Sequence, residues 1–232
     1  MRIEERRYTE TARDYALRIL KNNIVSMELK PGVMVSENEL SAQMGLSRTP
    51  VREALMDLAK CRAVDVLPQR GSRIALIDYA LVEEARFARQ VLEVAILDLV
   101  CEQATPTDIA QLRQNVRMQM LMQEPGMGET QNMLELDDAF HQMLFRIAQK
   151  ENTYSMLCSM TIHFDRVRSL ALDVIRDSSA IEDHRAICEA IAVHDAQKAK
   201  EVMTRHLSRV RVDEEAVRRA YPQYMKEQVR NG

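Results

Sequence analysis

Four side chains in the second half of the sequence could together bind a divalent metal ion. Asp137 and His141 are four residues apart, so on a helix both side chains project from one face. His184 and His206 follow in two other segments with helical patterns. One carboxylate and three imidazoles suit such an ion, and four protein ligands leave coordination positions open for a small organic acid. Metal binding is therefore the predicted chemistry, provided that the three helices meet.

The alternative is that these residues share no function. Four residues on three helices do not form a local motif, and a histidine on a mostly apolar helix is often a core or surface residue. Of the other histidines, His194 is predicted to lie in a loop. His163 falls on a helix and is not expected to be a ligand. Spacing alone leaves both interpretations open.

A second group of residues, 36–58, has the pattern of two short helices joined by a tight turn. Ser36 and Glu39 are spaced as a capping box, and Gly45 has the backbone freedom that a sharp turn needs. The second helix opens with Ser47, Arg48 and Thr49, followed by Arg52. Guanidinium groups can bind phosphates or the O6/N7 edge of guanine, so this pattern predicts the recognition helix of a helix-turn-helix. An ordinary helical pair with solvated arginines is the alternative.

The residues that follow indicate a wing. Residues 64–67 and 72–77 are short apolar runs that favour β-strands, and residues 68–71 between them form a turn. Arg70 and Gly71 lie at its tip. A helix-turn-helix followed by a basic hairpin is a winged helix, whose wing can reach a groove of DNA or its phosphates.

The elements that must position these residues are mainly helical. Six glycines and six prolines in 232 residues are few, and 15 methionines with no tryptophan suit a helical core. One helix is predicted over residues 9–27, before the helix-turn-helix. After residue 78, six helices are predicted over 81–101, 105–123, 130–149, 154–177, 180–193 and 196–220, with a loop at 124–128. The predicted fold is mainly α: an N-terminal winged helix (1–77) and a C-terminal antiparallel all-α bundle (78–232).

Charge and cysteine content suit a cytoplasmic DNA-binding protein. The net charge is −3, but residues 1–75 carry 13 basic and 10 acidic side chains, against 19 and 25 in the remainder. The four cysteines form no CxxC pair and are expected to stay reduced. The N-terminal residues are polar, unlike a signal peptide, and no apolar run approaches the roughly 20 residues of a membrane span.

Residues 46–55, LSRTPVREAL, resemble the DNA-binding domain of GntR-family transcription regulators. The resemblance extends to Pro31-Gly32, Ser36-Glu37, Leu40 and Arg70-Gly71. It implies a homodimer on a palindromic double-stranded DNA operator, with Arg48 and Arg52 at the DNA and Gly71 in the wing. Asn38 stands where many members carry a basic residue, which predicts a weaker or missing contact there.

Residues 79–220 resemble the FCD-type effector domain found in one GntR subfamily. The matching residues are Arg89-Gln90-Val91-Leu92-Glu93, Asp137-Asp138-Ala139-Phe140-His141, Asn152, His184 and His206. The resemblance implies that Asp137, His141, His184 and His206 bind a divalent metal, with zinc expected first and nickel, manganese or iron as alternatives. Arg89 could bind the carboxylate of an effector, or it could pair with Glu93 four residues later.

The predicted function is a transcription regulator, by default a repressor, whose operator binding responds to a small organic acid at the metal site. A metal-dependent hydrolase is the first alternative. The sequence carries no separate nucleophile–base pair, phosphate loop or nucleotide fingerprint, so an enzyme is not expected. A DNA-binding protein that responds to no ligand is the second alternative.

Overall fold

The computed structural model describes residues 1–123, 130–174 and 179–227. The loop predicted at 124–128 lies outside these ranges. The helices are α1 Ala12–Val25, α2 Glu37–Met44, α3 Arg48–Lys60, α4 Tyr79–Gln103, α5 Pro106–Met122, α6 Thr130–Ile147, α7 Glu151–Cys158, α8 Ile162–Val174, α9 Ser179–Ala192 and α10 Ala196–Ala220. Three short strands are β1 Met34–Val35, β2 Val64–Leu67 and β3 Gly71–Ile74. The protein is therefore mainly helical with one small sheet.

The N-terminal part folds as a winged helix. Helices α1, α2 and α3 surround a core that includes the apolar repeat of α3, namely Val51, Ala54, Leu55 and Leu58. The strands form an antiparallel sheet in the order β1-β3-β2, with Val64 paired to Ile74 and Met34 to Arg73. Gly45 ends α2 in the left-handed region at a φ of 65°, as the predicted turn requires.

The capping prediction for α2 was wrong. Ser36 stands at the N-cap position, but its side chain makes no capping hydrogen bond. Ser47 likewise precedes α3 without capping it. A complete capping box is found instead at Thr105 and Asp108, at the start of α5. The side chain of Ser47 therefore stays free of the backbone at the start of α3.

The C-terminal part is a helical bundle of seven helices in the described residues. The helix predicted over 154–177 is divided into α7 and α8 by a turn in which Ser159 and Met160 donate backbone hydrogen bonds to residues three positions earlier. Helix α10 packs on α4, α8 and α9, and α5 packs on α6 and α9. Phe140, Leu144, Ile187 and Val202 lie in the shared core. No helix in the described ranges is long and apolar enough to span a membrane.

The link between the two parts is held by the end of the chain. The Ile77 N–H donates to the Tyr224 carbonyl, and the Lys226 N–H donates to the Ile77 carbonyl. The Lys226 ammonium lies 2.7 Å from the Asp78 carboxylate. Residues 221–226 thereby hold the link between the two parts in place. We propose that the domain boundary lies in this link, between residues 77 and 78.

Candidate functional site

The structure brings together the four residues that were predicted to bind a metal. Helix α6 contributes Asp137 and His141, α9 contributes His184, and α10 contributes His206. One possible ligand atom from each lies within 4.8 Å of the others. The Nε2 atom of His206 lies 3.2 Å from that of His184 and 3.3 Å from that of His141. The Asp137 carboxylate oxygens lie 3.6 Å from His141 Nε2 and 3.7 Å from His184 Nε2.

The chemistry of this cluster fits a metal ion. Atom Nδ1 of His184 lies 2.9 Å from Gln119 Oε1, and Nδ1 of His141 lies 2.5 Å from a Glu93 oxygen. These acceptors favour protonated Nδ1 atoms, which leaves lone pairs on Nε2 facing one another. A cation would satisfy all of them. Ligands about 2.1 Å from an ion in five- or six-coordinate geometry lie roughly 3.0–4.2 Å apart, a range that contains these spacings and leaves coordination positions open.

Burial keeps the imidazoles of His184 and His206 in the neutral form that binds metals. It lowers the pKa of His184 to about 3 and holds the pKa of His206 well below its ordinary value. Burial alone would raise the pKa of Asp137, but Arg168 and the nearby imidazoles outweigh it and lower that pKa. At neutral pH the Asp137 carboxylate therefore lies beside neutral imidazoles of His184 and His206.

Polar side chains outside the cluster orient His141 and His184, and the sequence did not reveal this role. Glu93 on α4 and Gln119 on α5 bind the outer nitrogens of His141 and His184. Asp183 on α9 lies 4.0 Å from His206 Nδ1, beyond hydrogen-bond distance, and among the described residues that nitrogen has no hydrogen-bond partner. Burial would raise the pKa of Glu93, but Arg89 and His141 together lower it to about 2. Such partners fix the ring orientation and raise the basicity of a ligating histidine.

Arg89 is paired with Glu93 in the structure. Its Nε lies 2.6 Å from Glu93 Oε1, and its guanidinium lies 4.8 Å from the ring centroid of Phe164. Arg89 also lines the cavity next to the cluster of Asp137, His141, His184 and His206, so contact with an effector remains a prediction.

A cavity of about 190 Å³ adjoins the cluster. Asp137 and His206 line it together with Arg89 and Arg168. Arg168, on α8, binds Asp137 and lies 2.9 Å from Asp138 and 3.3 Å from Asp165. The remaining lining includes the apolar side chains Met133, Leu134, Phe164, Ala171, Leu172, Ala180, Ile181 and Leu207. This cavity can hold a small molecule with one end near the cluster.

All six residues predicted to bind DNA are exposed, namely Ser47, Arg48, Thr49, Arg52, Arg70 and Gly71. Arg48, Thr49 and Arg52 line one groove, and Arg48 shares a second groove with Arg70 and Gly71 of the wing. Ser47 lies at the N-cap of α3. Arg48, the first residue of α3, thus lines both the groove along α3 and the groove beside the wing.

Glu37, to which the sequence analysis gave no role at this surface, lies beside these arginines. Its carboxylate is 3.3 Å from Arg48 Nη2 and 4.0 Å from Arg52 Nε. Both arginine side chains are largely exposed, at 68% and 73%. Such exposed pairs are weak, so both guanidiniums remain available for DNA.

Comparison with known proteins identifies both halves. Residues 14–74 match the model for bacterial regulatory proteins of the gntR family, and residues 84–209 match the FCD domain. A regulator from Streptomyces ambofaciens, described as an uncharacterized HTH-type transcriptional regulator in unstable DNA locus, is 35% identical over 88% of this chain and 85% of its own. The chain belongs to the GntR family. It is a DNA-binding transcription regulator with an FCD domain, and not an enzyme.

Other relatives agree with this assignment to the GntR family. The HTH-type transcriptional repressor RspR of Escherichia coli K12 is 32% identical over 87% of this regulator and 88% of RspR. The solved structure described as E. coli McbR/YncC is 19% identical, with a TM-score of 0.77 over 89% of this chain and 99% of that one. That similarity shows a shared fold.

Proposed function

We propose that this GntR-family regulator represses transcription as a homodimer on a palindromic operator, under the control of a small organic acid bound at a divalent metal. The metal ligands are Asp137, His141, His184 and His206. Zinc is the first expectation, and nickel, manganese or iron suit the same ligands. The observation that carries the proposal is the convergence of three buried Nε2 atoms and one carboxylate beside a cavity.

The metal would supply open coordination positions for the carboxylate of the acid. Arg168 and Arg89 line the same cavity, and their guanidiniums can donate to a bound carboxylate in exchange for part of their present pairing with Asp138, Asp165 and Glu93. The apolar walls then contact the rest of the molecule. This division between one charged end and an apolar chamber supports a small organic acid as the effector class.

The DNA-binding part of the proposal rests on the exposed basic surface. Arg48 and Arg52 are assigned to bases or phosphates, Ser47 and Thr49 to nearby phosphates, and Arg70 and Gly71 to the groove beside the wing. Repression is supported by the name of the 32% identical relative RspR. A ligand can change operator affinity only by binding one arrangement of the two DNA-binding parts better than another.

The first test compares Asp137→Asn with Asp138→Asn, its neighbour on α6, which also binds Arg168 but lies outside the cluster. We expect purified wild-type protein and Asp138→Asn to bind one zinc ion per chain. In Asp137→Asn, competition with a chelating dye should show affinity lower by at least about tenfold. Equal zinc affinity in all three proteins would contradict the proposed ligand set.

The second measurement is thermal melting with a panel of sugar acids, hydroxy acids and dicarboxylates, before and after chelation. A ligand at a hundred times its Kd stabilises the fold by about 2.7 kcal/mol, which is readily seen as a rise in Tm. The acid that raises Tm should also change the affinity for an operator selected from random duplexes. An acid that stabilises the chelated protein equally well would contradict metal-dependent sensing.

A further inference from the structure

Helix α8 contacts both the cavity and the DNA-binding part. Phe164 and Arg168, one turn apart, line the cavity. Ile162, at the start of α8, packs into the core of the winged helix. A helix of this length moves as a rigid element. A displacement of the α8 residues that line the cavity is therefore transmitted to the α8 residues that contact the winged helix.

Two polar side chains of α8 bind the backbone of the winged helix and the link. His163 Nε2 lies 3.0 Å from the Arg62 carbonyl, and the Asp78 N–H donates to His163 Nδ1 at 3.2 Å. Arg166 Nη2 donates to the Ala75 carbonyl at 2.8 Å. These contacts fasten both ends of the link, residues 75–78, to α8.

Arg166 is an unusual residue for such a position. Its side chain is fully buried, and among the described residues its Nε and Nη1 atoms have no hydrogen-bond partner. No carboxylate in the described residues forms an ion pair with it. Burial lowers its pKa to about 10, so the guanidinium is still charged at neutral pH. A buried charge held by one carbonyl oxygen destabilises the arrangement that buries it.

We propose that Arg166 keeps the contact between α8 and the link metastable, so that occupancy of the neighbouring site decides whether the winged helix is held or released. A ligand that draws Arg168 away from Asp138 and Asp165 shifts α8. Arg166 then leaves the Ala75 carbonyl and regains water. Arg166 is thus a positioning residue for the DNA-binding part, and this regulatory role rests on the proposed ligand site.

The test replaces Arg166 with methionine, an apolar residue of similar length, and uses Arg113→Met on the exposed face of α5 as the control. Removal of the uncompensated charge should raise Tm by at least about 2 °C. Hydrogen exchange of the backbone amides of residues 75–78 should slow by about tenfold or more. In the wild-type protein, opening of the contact is favoured because it lets water reach the buried guanidinium, and Arg166→Met removes that gain. Arg113→Met should change neither quantity.

The regulatory part is tested with zinc alone. Zinc loading of chelated wild-type protein should change hydrogen exchange at the link and the Kd for the selected operator. In Arg166→Met both responses should be at least fivefold smaller at unchanged zinc affinity, whereas Arg166→Lys, which keeps the charge, should respond as wild type does.

Two results would overturn the proposal. A lower Tm in Arg166→Met would show that Arg166 stabilises the contact. A full zinc response in that variant would show that Arg166 plays no part in coupling the ligand site to the DNA-binding part. If the wild-type protein binds no zinc, the proposed metal site fails. The effects of Arg166→Met on Tm and on link exchange are measured without metal and still decide whether the contact is metastable.

Discussion

Glu93 connects a buried arginine to a candidate metal ligand. Its carboxylate lies 2.6 Å from Arg89 and 2.5 Å from His141 Nδ1. Glu93→Gln keeps the shape but removes the charge that holds His141 in the required orientation. We expect zinc affinity to fall by about 10- to 100-fold, as is typical for such outer partners.

The matched control for this change is Glu83→Gln on the same helix, which alters an ion pair with Arg86. Competition titration with a chelating dye measures the zinc affinity. Thermal melting of the chelated proteins shows whether the substitution also changes the stability of the metal-free fold. An affinity in Glu93→Gln equal to that of the control would show that His141 needs no carboxylate partner.

The recognition-helix assignment is also a residue-scale prediction. Arg48→Ala and Arg52→Ala should each weaken binding to the selected operator by about 1–3 kcal/mol if the arginine reads a base. If the arginine contacts only a phosphate, its loss should weaken binding to all duplexes equally. The slope of log affinity against log salt concentration should then fall in magnitude by about one. Fluorescence anisotropy at several salt concentrations distinguishes the two cases. Arg113→Ala is the control, and if both α3 variants bind as tightly as it does, the surface is wrongly assigned.

At the scale of elements, α3 and the wing could be predicted because their signals are local. The apolar repeat of α3 and the β-prone runs around Arg70 and Gly71 lie within a few residues of one another. The division between α7 and α8 was not predicted, because no glycine or proline marks residues 159–161. There the direction of α8 is set by its packing against α1, α4 and α10, which the local pattern cannot show.

The candidate site was predicted only in part for a similar reason. Asp137 and His141 share a helix, but their meeting with His184 and His206 was implied by the family resemblance and not by spacing. Gln119 and His184 are 65 residues apart in sequence yet 2.9 Å apart in space. No sequence period reports such a contact, so the outer partners emerge only from the packing of α5 against α9.

At the scale of the whole molecule, the junction between its two parts should be sensitive to acid. Burial, with Arg166 nearby, lowers the pKa of His163 from the ordinary 6.5 to about 4. Between these values the unfolded chain binds more protons than the folded one, so stability falls as pH is lowered from 6.5 to 4. This difference of about 2.5 pKa units corresponds to a loss of up to about 3 kcal/mol.

Denaturant unfolding of the chelated protein at pH 7 and pH 4.5 measures this loss. His163→Gln can keep both hydrogen bonds but does not titrate, so its stability should depend less steeply on pH than that of wild type. His194→Gln, in the link between α9 and α10, is the control variant. Identical pH dependence in His163→Gln and wild type would show that His163 is not the group responsible.

The backbone hydrogen bonds of Ile77 with Tyr224 and Lys226 also determine when the two parts become joined during protein synthesis. Lys226 and Asp78, which it binds, are 148 residues apart in sequence. The winged helix leaves the ribosome first and can fold from its own local contacts, since domains generally fold as units in order of synthesis. Its attachment is completed only when residues 221–226 have emerged. A nascent chain can therefore present the proposed DNA-binding surface before residues 221–226 have fixed the link to the bundle.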